Sequence, residues 1–219
     1  ANQCISLSNG SILYKGDSQG GLTDEVMKFQ IRKTVEEHLK KESRLNKLGI
    51  KVLSLFFIDK VANYRQYDAQ GNALKGKFAE WFEEIYTEYI NMPAFRELNK
   101  YPVEEIHNGY FSQDSKGKVK DTSGETKADD DTYSLIMKDK EKLLGIDNSL
   151  RFIFSHSALR EGWDNPNVFQ ICTLNETKSD IKKRQEIGRG LRLAVDQSGK
   201  RTYDPNINRL TVIANESYD

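Results

Sequence analysis

The sequence predicts an α/β fold, in which a parallel sheet is flanked by helices. The run Val52–Ile58 is apolar almost throughout, as expected for a parallel strand whose two faces are both covered. Beyond it, strand-like runs at 150–154, 168–174 and 210–214 alternate with a helical pattern at 179–193. Because apolar strands and helices alternate in this way in α/β domains, we interpret these runs as one sheet with its helices.

A hairpin and a long helix are predicted before the first strand of that sheet. Asn9-Gly10 stands between two short apolar runs, and Asn-Gly readily adopts the positive φ angles of a type I′ turn. From Thr23 to Leu48 the pattern is helical, with a capping threonine at its start and Gly49 at its end. We therefore interpret residues 1–22 as a hairpin and connector at the edge of a preceding region.

The middle of the chain contains one further helix and one irregular region. Residues 78–90 are amphipathic, with aromatic side chains on one face that we expect to pack against the core. Residues 105–111 are compatible with a strand, whereas 112–130 are polar and lack periodicity, as in a long loop. One domain is therefore predicted over residues 23–219, with a polar insertion at about 103–131.

Composition narrows the class of protein. Of 219 residues, 37% are hydrophobic and 30% are charged, which is enough for a core, and no run approaches the length of a membrane span. Two cysteines, Cys4 and Cys172, are too few for a disulfide framework or a zinc site and favour a reducing cytoplasm. No signal peptide is predicted, and the first residue, which is not methionine, suggests a piece of a longer protein.

The balanced net charge conceals a basic carboxyl-terminal third. Lys and Arg number 33, as do Asp and Glu. Between Lys178 and Arg209, however, nine basic residues stand against four acidic ones, a net charge of +5. The stretch from Asp121 to Asp131 has the opposite balance, with five acids and one lysine. A local basic surface of this kind can attract an anionic ligand such as a nucleic acid backbone.

Three short stretches of the carboxyl-terminal third contain residue types that bind phosphates and nucleotides. Ser155-His156-Ser157 follows a predicted strand, where parallel sheets gather ligands and where hydroxyls and backbone amides can bind a phosphate backbone. In Glu161-Gly162-Trp163-Asp164, the glycine permits close approach of a ligand and the aspartate can accept from a ribose hydroxyl. Arg189 and Arg192 are three positions apart on the next helix, so both guanidinium groups can face a triphosphate.

The order of these segments resembles a known family. The pattern Gln-x-x-Gly-Arg-x-x-Arg at 185–192 is similar to motif VI of superfamily 2 helicases, and Arg-Glu-Gly-Trp-Asp-Asn-Pro at 160–166 is similar to motif V. The tryptophan in the latter resembles the Res subunit of type III restriction enzymes. The tracts at 109–112 and 133–140 strengthen that closer resemblance, and Val52–Asp59 looks like the strand of motif IV.

The resemblance implies a role for each site residue. The chain would be the second RecA-like domain of an ATP-dependent DNA translocase within a restriction endonuclease. Arg189 and Arg192 would be catalytic arginine fingers. Residues lining the nucleotide would be Glu161, Gly162, Asp164, Gln185 and Gly188. Residues contacting the DNA backbone would be Ser155, His156, Ser157 and Arg160. Position 156 departs from the family pattern, in which threonine is more common than histidine.

The resemblance also implies partners and cofactors. The chain contains no Gly-x-x-x-x-Gly-Lys-Ser/Thr loop and no Asp-Glu box of the Walker type. We therefore expect ATP and Mg²⁺ in the full-length protein, held by a preceding RecA-like domain with the Walker motifs, and no metal site in this chain. Further expected partners are double-stranded DNA and a modification (methyltransferase) subunit, but no membrane.

Two other functions are compatible with the sequence. Asp164, Glu176 and Lys178 formally fit the spaced Asp and Glu-x-Lys of magnesium-dependent nucleases, but Glu176 falls after the predicted end of a strand at Leu174. Alternatively, the basic third binds DNA or a protein without any coupling to ATP. That function predicts a DNA affinity that falls as salt is added and does not change when an ATP analogue is present.

Overall fold

A computed structural model of the chain describes residues 4–6, 12–14, 23–70, 72–111, 142–156, 165–175, 187–188, 190 and 192–214. The described strands are β1 (Cys4–Ser6), β2 (Ile12–Tyr14), β3 (Leu53–Ile58), β4 (Arg65–Tyr67), β5 (Ala73–Lys75), β6 (His107–Tyr110), β7 (Phe152–Ser155), β8 (Val168–Leu174) and β9 (Thr211–Ile213). The described α-helices are α1 (Asp24–Leu45), α2 (Lys77–Ile90) and α3 (Val103–Ile106).

The main sheet has five strands in the order β6-β7-β3-β8-β9, and every neighbouring pair is parallel. All residues of the central strand β3 are buried, and α1 and α2 pack against one face of the sheet. This is the α/β, RecA-like architecture that the sequence predicted. The strand β8 has its predicted bounds, and β7 and β9 begin and end within two residues of theirs.

Helix α1 begins and ends where its capping residues predict. The Thr23 hydroxyl accepts a hydrogen bond from the Val26 amide at 3.3 Å, which satisfies one of the free donors of the first turn. After a 3₁₀ turn at 46–48, Gly49 closes the segment with a φ of 69°, a conformation that costs glycine no steric clash. The apolar face of the helix is buried and includes Ile31, Val35 and Leu39, which are completely inaccessible to solvent.

Residues 103–111 belong to the core of the fold rather than to an insertion. They include the short helix α3 and the strand β6, which pairs in parallel with β7 at the edge of the main sheet. An edge strand needs less apolar cover than a central one, which is why the polar residues Asn108-Gly109 can occur in it. Residues 103–111, which the sequence prediction had included in the insertion, therefore belong to the sheet and its short helix. Residues 112–131 lie outside the described residues.

Two antiparallel hairpins stand apart from the main sheet. β1 and β2 form the predicted amino-terminal hairpin, in which Ser6 pairs with Ile12. A two-residue turn at Asn9-Gly10 would instead pair Ser6 with Leu13, so the ladder is shifted by one residue from that expectation. β4 and β5 form a second hairpin between β3 and α2. Its strands of three residues each are too short to produce a recognisable alternation in the sequence.

Aromatic rings dominate the core between the helices and the sheet. Phe56 of β3 stacks on Phe154 of β7, with ring centroids 4.4 Å apart. Phe82 of α2 meets Phe152 of β7 edge-on at 4.7 Å. Such pairs contribute about 0.5–1.5 kcal/mol each beyond the area that they bury. The aromatic face predicted for α2 is thus confirmed as core packing, and it fixes the helix to the central strands.

A network of buried polar side chains ties α1 to the amino-terminal ends of the strands. Glu42 of α1 forms a 2.6 Å ion pair with Arg151, the residue before β7. His38 lies 3.3 Å from the other carboxylate oxygen of Glu42 and 2.8 Å from the Ser54 hydroxyl of β3. Arg151 also donates to three backbone carbonyls between residues 146 and 150. These bonds offset the cost of burying the two charges, which would be severe for either charge alone.

Two lysines are buried at the same end of the sheet. Lys51 donates to two carbonyls of the turn at 145–148, at 2.9 and 2.6 Å, and burial lowers its pKa to about 7. Lys41 donates to the Arg209 carbonyl and lies 4.7 Å from the centre of the Phe169 ring. Burial lowers the pKa of Lys41 to about 8. Both side chains hold surface segments against the sheet.

His107 connects the β4–β5 hairpin and α2 to the edge of the sheet. Its Nδ1 lies 2.8 Å from the Tyr64 hydroxyl, and its Nε2 lies 3.1 Å from a carboxylate oxygen of Glu83 on α2. Burial lowers the pKa of His107, and Glu83 opposes that shift only in part. Burial likewise lowers the pKa of His38 against the opposing effect of Glu42. Both imidazoles are therefore neutral in the folded protein at pH 7.

Arg151→Met should lower the free energy of unfolding by about 3–5 kcal/mol, because it leaves Glu42 buried without its partner. Urea denaturation followed by circular dichroism measures this loss. Arg32→Met is the matched control, since Arg32 pairs with Glu88 on the surface and an exposed pair contributes about 0–1 kcal/mol. Equal losses in the two variants would contradict the stabilising role of the buried pair.

Acidification below about pH 6.5 should destabilise the fold. In this range the histidines of the unfolded chain bind protons, whereas the buried His38 and His107 resist protonation. As the pH is lowered, the free energy of unfolding should therefore fall by at most about 1.4 kcal/mol per pH unit for each histidine. Urea denaturation at several pH values measures the slope. His107→Gln should flatten it, and an unchanged slope would exclude this imidazole as a cause.

Candidate functional site

The carboxyl ends of the parallel strands lie along one edge of the sheet, where open α/β sheets bind ligands. Ser155, the last residue of β7, is completely buried, and its hydroxyl donates to the Tyr110 carbonyl at 3.3 Å. His156 follows and is partly exposed, but its Nδ1 is buried and no described residue bonds it. The Ser155 hydroxyl is thus engaged within the sheet, while His156 retains unused hydrogen-bonding capacity.

Further buried polar atoms without a hydrogen-bond partner among the described residues lie near the end of β8. Gln30 of α1 is 3% exposed and donates to the Thr173 carbonyl at 3.3 Å, but its Oε1 has no partner among the described residues. Asn175, directly after β8, has a buried Oδ1 that is likewise unbonded within the described part of the chain. Because orphaned buried atoms cost free energy, the ends of β7 and β8 are the part of this edge best suited to a ligand. No sequence pattern indicated Gln30.

The two glycines of the segment that resembles motif VI have different surroundings. Residues 187–188 are helical, and a Cβ added at Gly188 would meet no described residue within 4 Å. A Cβ added at Gly190 would lie 2.4 Å from the Leu210 side chain and 3.3 Å from that of Ile171. A methyl group at 190 would therefore displace the Leu210 side chain, whereas no described residue opposes one at 188. The open side of Gly188 suits a position that faces a ligand or another domain.

The structure describes only part of the predicted site. Ser155 and His156 adjoin each other at the end of β7, and Gly188 and the exposed Arg192 lie between β8 and β9. The other predicted residues lie outside the described residues, and they are Ser157, Arg160, Glu161, Gly162, Asp164, Gln185 and Arg189. The roles predicted for the whole set stay predictions.

Two buried asparagines anchor the turn that follows the segment resembling motif V. The Asn165 side chain accepts a hydrogen bond from the Asn167 amide at 3.1 Å. The Asn167 side chain exchanges two hydrogen bonds of 2.9 Å with the backbone of Val195. These hydrogen bonds fix the start of β8 against the segment at 194–202. The sequence did not reveal it, since asparagine before a strand also suits a simple turn.

One near match to a phosphate-binding loop has a structural explanation. Residues 71–78 fit Gly-x-x-x-x-Gly-Lys but end in Phe78, where the loop needs a serine or threonine hydroxyl. Phe78 is completely buried, and Lys77 forms a 2.6 Å ion pair with Asp24. A Cβ at Gly76 would lie 2.5 Å from a backbone carbonyl oxygen. Packing at the start of α2 and a surface ion pair therefore account for the glycine and the lysine.

The described residues contain no group of three or more His, Cys, Asp or Glu side chains that could hold a metal ion. Cys172 is completely buried, and burial raises the pKa of its thiol to about 12, so it is an unreactive residue of the core. No described helix is both long enough and apolar enough to cross a membrane.

Comparison with known proteins identifies relatives. The chain is 39% identical over 222 residues to the type III restriction-modification enzyme EcoPI Res subunit of Escherichia phage P1, covering 92% of this chain and 21% of that protein. It is 42% identical over 210 residues to the EcoP15I Res subunit of Escherichia coli, covering 92% and 20%. The chain belongs with the type III Res subunits. The resemblance predicted from the two motif-like segments is thereby confirmed.

A third type III Res subunit, StyLTI of Salmonella typhimurium, is 37% identical over 183 residues, covering 74% of this chain and 18% of that protein. This Res-related chain therefore spans about a fifth of the length of the curated relatives that it matches. No protein-family model matches it. Its relation to Res subunits thus concerns one portion of a much larger protein.

Gly190→Ala should lower the free energy of unfolding by about 1–3 kcal/mol, because the new methyl group overlaps the Leu210 side chain. Gly188→Ala should change it by no more than about 0.5 kcal/mol, because its methyl group enters open space. Parallel urea denaturation of the two variants measures the difference. A loss of similar size at both positions would mean that Gly188 also serves packing within the domain.

Proposed function

We propose that this chain is part of the motor of a type III restriction endonuclease. It forms the second of two RecA-like domains, which hydrolyse ATP between them and translocate along double-stranded DNA. The observation that carries the proposal is the order of the segments resembling motifs V and VI on a RecA-like sheet, in a relative of Res subunits. The activity is proposed for the full-length protein, because the chain spans about a fifth of its relatives.

In this motor, Arg189 and Arg192 act on ATP that the preceding RecA-like domain holds. Their guanidinium groups offset the negative charge that develops on the transferred phosphoryl group. The exposure of Arg192 supports this role. The open side of Gly188 supports it too, because it leaves room for the neighbouring domain. The remaining nucleotide contacts are proposed for Glu161, Gly162, Asp164 and Gln185.

The segment after β7 is proposed to contact the DNA backbone. His156 is proposed as a contact because its side chain is partly exposed at the end of β7 and an imidazole N–H can donate to a phosphate oxygen. The Ser155 hydroxyl is bonded to Tyr110, so this serine would act by holding His156 in place or through its backbone. Contacts from Ser157 and Arg160 are proposed from the family resemblance alone.

The same proposal assigns the cofactors and partners. ATP and Mg²⁺ are bound by the Walker motifs of the preceding RecA-like domain, and this chain supplies groups that reach the nucleotide from the other side of the cleft. A modification (methyltransferase) subunit assembles with the full-length protein, and DNA is the common substrate of the two. The assembly works in the bacterial cytoplasm.

Arg189→Ala and Arg192→Ala in the full-length protein should each lower DNA-stimulated ATP hydrolysis by about 10³-fold or more, the range typical of arginine fingers. Steady-state phosphate release measures this loss. Arg96→Ala, at an exposed arginine between α2 and α3, is the matched control and should leave the rate unchanged. Full ATPase activity in both site variants would overturn the proposed roles.

The same preparations distinguish the alternative functions. A binding module without ATP coupling would bind DNA in a salt-dependent manner, and an ATP analogue would not change its affinity. The motor should show a nucleotide-dependent affinity. The nuclease alternative is not favoured, because β8 ends at Leu174 and Glu176 therefore lies beyond the strand that should carry it. Magnesium-dependent cleavage that Glu176→Ala abolishes would restore it.

A further inference from the structure

A cleft of about 410 Å³ opens beside the segment that leads into β3, at the amino-terminal edge of the sheet. We refer to it as the amino-edge cleft. Two exposed apolar side chains flank it, Leu48 with 55% and Tyr203 with 78% of its surface accessible. The buried Ile50 and the partly buried Ile207 form its apolar wall. The remaining lining residues are Asp196, Lys200, Arg201 and Thr202. Clustered exposed apolar groups with a polar rim mark interaction surfaces.

Hydrogen bonds hold the backbone around the amino-edge cleft. Asp196 accepts from the Ser198 hydroxyl and from the amides of residues 198 and 200. The backbone amide of Gln197 and its side-chain amide both donate to the Gly49 carbonyl, which joins the two sides of the cleft. The Asn208 side chain links residues 194 and 202. A surface that is ordered before binding loses little conformational entropy when a partner docks.

The rim of the amino-edge cleft is basic. Segments 44–48 and 196–209 contain five basic residues and two aspartates. Asp196 is bonded to amides of its own turn, and Asp204 accepts from the Asn206 amide at 2.8 Å. The side chains of Lys47, Lys200 and Arg201 are exposed, and the described part of the chain shows no ion pair for them. Apolar walls with a basic rim complement an acidic polypeptide that carries an apolar side chain.

We propose that the amino-edge cleft binds an acidic segment of the modification subunit that carries one large apolar side chain. The apolar side chain fills the space between Leu48 and Tyr203, and the flanking carboxylates pair with Lys200 and Arg201. A central apolar anchor within a ring of polar contacts is the usual source of affinity in protein interfaces. The identity of the partner rests on the proposed function, but the docking itself does not depend on ATP hydrolysis.

Photo-crosslinking in the assembled enzyme tests the occupant. Tyr203→p-benzoylphenylalanine is introduced into the full-length protein, which is mixed with purified modification subunit and DNA, irradiated and digested for mass spectrometry. We expect an adduct on a modification-subunit segment that contains Asp or Glu next to a large apolar residue. The same analogue at Leu74, which is 49% exposed on β5, should not label that segment. Adducts confined to DNA, adducts confined to the protein's own chain, or no adduct would overturn the proposal.

Subunit affinity measured by biolayer interferometry tests the energetics. Tyr203→Ala and the double variant Lys200→Glu, Arg201→Glu should each weaken assembly by about 10-fold or more, and the loss in the double variant should shrink as salt is added. Lys100→Glu, at an exposed lysine outside the cleft, should leave affinity unchanged. Unchanged affinity in Tyr203→Ala would overturn the docking proposal.

The two proposals fail separately. The cleft variants should retain DNA-stimulated ATP hydrolysis when they are added at concentrations that saturate assembly. If Arg189→Ala and Arg192→Ala leave ATP hydrolysis intact while the crosslink at position 203 persists, the motor proposal falls and the docking proposal stands. If ATP hydrolysis depends on the arginines but affinity ignores the cleft, the reverse holds.

Discussion

The direction of the strands is the constraint on which the rest of this structure depends. Because all neighbours in the main sheet are parallel, the central strand β3 lies in the interior and needs apolar residues on both faces. The same direction collects the carboxyl ends of the strands at one edge and their amino ends at the other. The candidate site and the amino-edge cleft are therefore separated by the length of the sheet.

The two edges differ in how their buried charged groups are paired. At the amino edge, Glu42, Arg151 and Lys51 are all bonded, largely to each other or to backbone carbonyls, although the buried Nε2 of His38 has no hydrogen-bond partner among the described residues. At the carboxyl edge, His156 and Asn175 keep buried atoms that no described residue bonds. Stability alone would favour pairing such atoms. Leaving them unpaired next to the segments that resemble motifs V and VI is the pattern expected where function takes precedence over stability.

Local patterns predicted the elements whose apolar residues recur with the period of a helix or fill both faces of a strand. Val52–Ile58 and the helix after Thr23 are examples, because burial on both faces and a 3.6-residue period are legible without partners. Strand β6 was harder to predict, since its place in the sheet depends on β7, more than forty residues further along the chain. The pair of Glu42 and Arg151 joins residues 109 positions apart, and no local pattern reveals such a contact.

The candidate site divides in the same way. Residue types, spacing and the family resemblance predicted which side chains belong together, and that grouping stays a prediction. The sequence did not distinguish Gly190, where a Cβ would displace the Leu210 side chain, from Gly188, where a Cβ would meet no described residue. That distinction needs the position of Leu210, and the engagement of Ser155 needs the position of β6. Both of these observations depend on tertiary contacts, which the order of residues in the sequence does not reveal.

The buried lysines change the ionic character of the folded molecule. A formal charge of zero counts every lysine as a cation, but the pKa of Lys51 is about 7 and that of Lys41 about 8. At pH 8, folding should thus release between one and two protons, roughly, from these two amines. A neutral amine still has two N–H bonds, so Lys51 keeps both of its carbonyl partners. The heat absorbed or released on unfolding will therefore depend on the ionisation enthalpy of the buffer.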